Sequence, residues 1–243
     1  MQVVQILEAS LLGLRSAALR LRHRHTPLQF LVIPMVHMAN AGFYREVTRL
    51  LRKADIVVVE GIRGTSAAGL ALTSTYRVLR LRHIELVYDS VPYKTLGKPL
   101  ITPDLTADEF RHEWRTIPIW MRAVIWPVML GFTVTRMLTP RRRLLRKLID
   151  DELNDMPSDL DEALAEHPLG RALTVERDRR LVEALGTLHE EHSQESITVA
   201  VVYGAAHVPA IVEYLADRGY FVRTADWLTV IVPPTLSPAG VPA

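Results

Sequence analysis

The sequence predicts an α/β fold whose central sheet is built from both ends of the chain, with a large helical insertion in the middle. Three observations carry this reading. Apolar runs that read as buried strands lie near both ends, at residues 28–33, 55–60 and 196–203. Helical periodicity follows the first and the last of them, at 40–53 and 207–218. From 106 to 191 strand character gives way to helical pattern. The 243 residues, 49% of them apolar, suit one domain with a sizeable core, and no linker divides them.

Taken in order, residues 1–25 read as an amphipathic helix, with Val4, Ile6, Leu7, Leu11, Leu12, Leu14, Ala18 and Leu19 apolar. Arg15, Arg20, Arg22 and Arg24 follow the apolar stretch, the reverse of the order in an export signal. Residues 28–33 form the first buried strand. The helix at 40–53 turns Phe43, Val47, Leu50 and Leu51 to one face. A β-branched strand at 55–60 reads DIVVVE. A helix at 66–82 and a short third strand at 84–88 come next. Residues 92–103 read as loop, with an edge strand near Leu100.

The insertion opens on Thr106 and Glu109, spaced as a capping box. Pro140, Pro157 and Pro168 punctuate it. Its most apolar stretch, 114–139, has only 13 consecutive uncharged residues at 123–135, short of the roughly 20 a membrane span needs. Trp120, Trp126 and the basic run 141–143 suit a headgroup interface. An acidic helix begins at Ser158, and another helix covers 169–189. A strand at 196–203 and the helix at 207–218 follow, with Gly219 as C-cap. Two final strands, 220–225 and 227–232, lead to a Pro-rich tail from 233.

Composition narrows the chemistry. The chain has no cysteine, which excludes disulfides, thiolate nucleophiles and Cys-ligated metal sites. A net charge of +2 hides an asymmetry: 23 Lys+Arg against 10 Asp+Glu before residue 148, and 6 against 17 after it. Such halves either neutralise each other in the fold or present a basic face to an anionic partner. Gly-rich phosphate loops, a serine nucleophile elbow and an HExxH helix are all missing from the sequence. The basic runs lack interleaved aromatics, so no nucleic-acid partner is expected.

Two segments share one plan of buried strand, short turn, histidine and helix. The first ends Ile33-Pro34-Met35-Val36-His37, the second Val202-Tyr203-Gly204-Ala205-Ala206-His207. Open α/β sheets bind ligands at the carboxyl ends of their strands, where both histidines fall. Glu60 ends the second strand and Asp89 the third. Two imidazoles and a carboxylate suit a divalent metal with an open position for water. Each has an ordinary alternative: a capping or hydrogen-bonded histidine, a glutamate paired with arginine, an aspartate in the turn Asp89-Ser-Val-Pro92. Within residues 176–180 (ERDRR), helical spacing turns Arg177 inward, where it would clamp a carboxylate or stabilise an oxyanion.

At these residues the chain resembles the TraB/PrgY–GumN–TIKI family, itself related to the erythromycin esterase and ChaN-like groups. The second GxxH motif is Gly204-Ala205-Ala206-His207, leading to Arg218-Gly219-Tyr220. The glutamate strand is ADIVVVE, ending in Glu60; Glu176-Arg177-Asp178 matches an ERD element, and Pro103-Asp104-Leu105 is similar to an internal Asp motif. The first motif departs from the pattern, since Pro34 stands where the family has glycine. The resemblance implies a metal-dependent hydrolase of peptide or ester bonds, metalloprotease-like in its TIKI-type members. It implies His37, Glu60 and His207 as metal ligands, Glu60 and Arg177 as catalytic groups, and Glu176 and Gly204 in support; Asp89, at the end of the third strand, is a further supporting candidate. Manganese, cobalt and zinc are the candidate ions, and a peptide or small ester the substrate. Two other readings stand beside this one. One is a non-catalytic ChaN-like binder of haem or another iron ligand, served by Met35 or Tyr203. The other is a membrane-peripheral module docking through 1–25 or 114–139. A cytoplasmic location, extending to the inner face of the membrane, is expected.

Overall fold

The computed structural model describes residues 5–10, 13–36, 38–61, 86–104 and 175–232, together with 106, 108, 109, 112, 115 and 119. The strands are β1 (Leu7–Ser10), β2 (Gly13–His23), β3 (Gln29–Met35), β4 (Met38–Asn40), β5 (Ile56–Val59), β6 (Leu86–Tyr88), β7 (Leu100–Ile101), β8 (Thr198–Gly204) and β9 (Tyr220–Ile231). The helices are α1 (Ala41–Leu51), α2 (Val175–His192) and α3 (Val208–Asp217).

Seven strands form the main sheet in the order β1-β2-β3-β8-β5-β7, with β9 also paired to β2. β3, β8, β5 and β7 run parallel, and β2 is antiparallel to β1, β3 and β9. The sheet is therefore drawn from both ends of the chain. β8, from the C-terminal part, lies between β3 and β5, from the N-terminal part.

The apolar runs of β3, β5 and β8 follow from burial on both faces. On one face α1 lays Phe43, Val47, Leu50 and Leu51 over Leu31, Ile33, Val57, Val59, Ala200 and Val202. On the other, α2 and α3 lay Leu181, Leu185, Leu188, Val208, Ile211 and Leu215 over Phe30, Val32, Val58, Val199, Val201 and Tyr203. The result is a helix–sheet–helix sandwich. α3 closes on Gly219, whose φ of +88° is the left-handed conformation a C-cap needs.

Several expectations change. The helix expected over 1–25 is replaced where described by β1 and β2, and β2 pairs on both sides. Its alternation Leu19-Arg20-Leu21-Arg22 is a strand period, and Leu14, Leu19 and Leu21 are buried. The basic N-terminal segment is thus an integral strand and not a detachable anchor helix. The third strand leaves the main sheet: β6 pairs with β4 in a separate two-stranded ribbon. The two final strands are one, β9, twelve residues long. The first histidine motif leads into β4 before α1 begins, not directly into a helix.

Other expectations hold. β7 is the edge strand near Leu100, at the end of the sheet. The capping box forms: Glu109 Oε2 accepts from the Thr106 N–H and hydroxyl at 2.8 Å each, and the Glu109 N–H donates to Thr106 Oγ1 at 3.3 Å. Positions 108, 109, 112, 115 and 119 are helical, and α2 supplies the last part of the helical stretch. Trp120, Trp126, the helix at 66–82, the acidic helix from 158 and the tail from 233 lie outside the described residues. Among the described residues, no helix is long and apolar enough to cross a membrane.

Charge neutralisation between the halves also takes an unexpected form. Arg20–Asp226, at 3.5 Å, pairs a basic residue of the first half with an acid of the second. The closer contacts run the other way, from arginines of α2 to carboxylates of the first half.

Candidate functional site

The four parallel strands deliver their carboxyl ends to one edge of the sheet. Met35 pairs with Gly204, Val59 with Val202 and Val58 with Ile101. The segments that follow bring Glu60 and Gly61 from β5, Asp104 from β7, and Gly204 and His207 from β8 to that edge. The first turn of α2 adds Arg177 and Asp178.

Glu60 extends the β5–β8 ladder by one bond, its N–H donating to the Val202 carbonyl at 3.0 Å. Its carboxylate accepts from Arg177 Nη2 on Oε1 at 2.6 Å and from the Gly204 N–H on Oε2 at 2.7 Å. A Cβ on Gly204 would stand 3.2 Å from Glu60 Oε2 and would push the carboxylate away by a few tenths of an ångström. Arg177 also grips Asp104 with two bonds, Nε to Oδ1 at 2.8 Å and Nη2 to Oδ2 at 2.7 Å. The Asp104 side chain is wholly buried, and its Oδ2 accepts from the Gly61 N–H at 3.1 Å.

His207 sits in a single 3-10 turn ahead of α3, 6% exposed. Its Nδ1 meets Asp178 Oδ1 at 2.6 Å, and since a carboxylate only accepts, Nδ1 carries the proton there. The other nitrogen, Nε2, faces Glu60 Oε1 at 3.9 Å. Tyr203 packs edge-on against the imidazole, ring centres 5.7 Å apart. Its hydroxyl is buried, with no hydrogen-bond partner among the described residues.

Burial alone would push the Glu60 carboxyl up. The Arg177 charge and hydrogen bond, the Gly204 N–H and the nearby His207 outweigh it and hold the group below its usual 4.5. Burial tends to lower the Arg177 pKa, but Asp104 and Glu60 raise it above its ordinary value. Burial pushes the Tyr203 phenol up, as do the charges of Asp104, Glu60 and Asp178.

The arrangement has the donor chemistry of a cation site in part. A carboxylate behind Nδ1 with Nε2 turned outward is how metal-ligating histidines are usually held. Metal–ligand bonds of about 2.0–2.2 Å on each side let two donors share one ion at separations up to about 4.2 Å, which includes 3.9 Å. Among the described residues, three carboxylates gather about one guanidinium. Among the described residues, no group of three or more His, Asp or Glu is arranged to hold a metal ion. His37, the third expected ligand, lies outside the described residues. No family model, curated protein or solved structure matches this chain.

Of the other expected site residues, Arg177 and Gly204 join Glu60 and His207. Glu176 does not: it lies on the outer side of α2, paired with Arg179 at 2.6 Å and Arg180 at 2.9 Å. Asp89 also takes its ordinary role. Its Oδ1 accepts from the Val91 N–H at 3.1 Å and its Oδ2 from the Tyr93 hydroxyl at 3.4 Å, fixing the turn after β6. Asp104 and Asp178 were visible only as members of short motifs. What makes them site residues is their partners, Arg177 and His207, distant in sequence by 73 and 29 positions.

Proposed function

We propose that this protein is a metal-dependent hydrolase of peptide or ester bonds. His207 and Glu60 are two of its ligands and His37 is the third. The observation that carries the reading is the Asp178–His207–Glu60 line. Asp178 holds Nδ1 at 2.6 Å, which leaves Nε2 as the nitrogen facing Glu60 across 3.9 Å. The line stands at the carboxyl edge of four parallel strands, where α/β sheets bind ligands. A divalent ion bound there supplies Lewis acidity toward a carbonyl and an acidified water.

The protein's own groups do the rest. Asp178 sets the tautomer of His207. Arg177, anchored on Asp104, points the Glu60 carboxylate and keeps it ionised, which suits a ligand or a base for the attacking water. The resemblance to the TraB/PrgY–GumN–TIKI family supports the bond class. The lack of cysteine suits a location in the cytoplasm, extending to the inner face of the membrane.

The test is metal content and affinity of the purified protein beside His37→Ala and His207→Ala, across zinc, manganese, cobalt and iron. The expected result is about one ion per chain in the wild type, lost in both variants with the fold intact. Binding also raises the melting temperature, by an amount equivalent to about 2.7 kcal/mol at a hundredfold excess over Kd. No uptake of any of the four ions overturns the reading.

A further inference from the structure

We infer that Tyr203, rather than Arg177, donates the hydrogen bond to the substrate oxygen on which negative charge develops. The inference rests on the hydrolase reading above and names the group that meets the substrate there. Sequence alone favours Arg177 for this task. In the structure Arg177 directs Nε and Nη2 at Asp104 and Glu60, all at 2.6–2.8 Å. A guanidinium held by two carboxylates positions Glu60, and its charge is already matched.

Tyr203 is placed differently. It is 1% exposed, at the carboxyl end of β8, with its ring against His207. Its hydroxyl is shut off from solvent and has no hydrogen-bond partner among the described residues. A buried hydroxyl without a partner is destabilising, and phenylalanine would fill the same space without that penalty. An orphaned polar atom beside a cluster of charged groups is the mark of a donor held ready for an atom that a ligand brings. The phenol is neutral and donates without adding charge, so it does not compete with a cation bound by Glu60 and His207. The substrate class is a carbonyl compound, an ester or amide, whose oxygen becomes the acceptor. Tyr203 gives a hydrogen bond only; no proton leaves it.

The experiment compares wild type with Tyr203→Phe. Melting temperature is measured first, with no ligand. Calorimetric titration follows, with Mn²⁺ alone, then with methylphosphonate, a tetrahedral oxyanion, added to the Mn²⁺-loaded protein. The expected variant melts about 3 °C higher. It binds Mn²⁺ as the wild type does, and methylphosphonate at least tenfold more weakly. A melting temperature at or below wild type overturns the inference, because the hydroxyl is then already satisfied, as by a buried water. Unchanged methylphosphonate affinity overturns it as well. If wild type takes up no Mn²⁺, the metal reading fails. The metal-free melting comparison then decides on Tyr203: a variant melting about 3 °C higher upholds the unpartnered donor, and one melting at or below wild type overturns it.

Discussion

Arg177 shows how much of the site hangs on single side chains. Its guanidinium is largely buried, and the wholly buried Asp104 carboxylate takes two of its hydrogen bonds. Removing Asp104 takes those bonds away and leaves the Gly61 N–H without its acceptor, while Arg177 keeps Glu60, at a cost of about 1.5–3 kcal/mol. Asp104→Ala is therefore expected to lose about that much stability in urea titrations. Glu60, though untouched, should lose its fixed orientation, and metal uptake should weaken with it. Gly204→Ala probes the opposite extreme. Its backbone, at φ −51° and ψ 145°, is open to any residue. Only the 3.2 Å approach to Glu60 Oε2 is at stake. Stability should change by about 1 kcal/mol or less, while metal affinity falls at least tenfold; titration calorimetry beside a thermal melt separates the two. Glu60, Arg177, Gly204 and His207 were legible because each follows a strand or faces inward on a helix, and periodicity reports that. Asp104 and Asp178 were not assigned roles, because a short acidic side chain gains one only from a partner the fold brings near. Glu176 shows the converse, an acid paired with arginines three and four residues further along its own helix.

At the level of elements, the parallel strands were legible and the N-terminal strands β1 and β2 were not. β3, β5 and β8 are buried on both faces and read as unbroken apolar runs between turn signals. β2 hides its period in the middle, where Ser16, Ala17, Ala18 and Leu19 are all fully buried between β9 on one side and β1 or β3 on the other. A run of small and apolar residues there fits a helical stripe as well as a strand. The Leu19-Arg20-Leu21-Arg22 alternation is the signal that favours a strand. The consequence is testable. If residues 1–25 were an appended helix, their removal would leave the domain folded. As β2 joins β9 to the rest of the sheet, deletion of residues 1–23 is expected to abolish the cooperative thermal transition followed by circular dichroism. A milder version, Leu19→Ala, removes a fully buried side chain and should cost about 2–5 kcal/mol in urea titrations.

Over the whole molecule, the site is a product of chain topology. β8 enters between β3 and β5, so the last quarter of the chain must dock before Glu60 meets Gly204 or Arg177 meets Asp104. The same closure links stability to pH. The Glu60 carboxyl titrates below its unfolded value in the folded protein, held down against burial by Arg177, the Gly204 N–H and His207. A depressed carboxylate stabilises fully above its unfolded value, and that stabilisation is lost as pH falls through the folded value. Glu109 and Glu176 are also depressed, to about 2, by hydrogen bonds from Arg180 and from Arg179 respectively, but both pairs lie at the surface. Salt discriminates between the two kinds of group. At about 1 M ionic strength the screening length is roughly 3 Å, which weakens exposed pairs and leaves buried ones nearly intact. Unfolding free energy measured by urea from pH 7 down to pH 3 should therefore drop below about pH 4.5. In 1 M salt the drop should persist in wild type. In Glu60→Gln, which accepts hydrogen bonds but does not titrate, it should be shallower, because the Arg177–Asp104 pair alone remains. If Glu60→Gln matches the wild-type pH profile in high salt, Glu60 is not the group that couples closure of the sheet to acid.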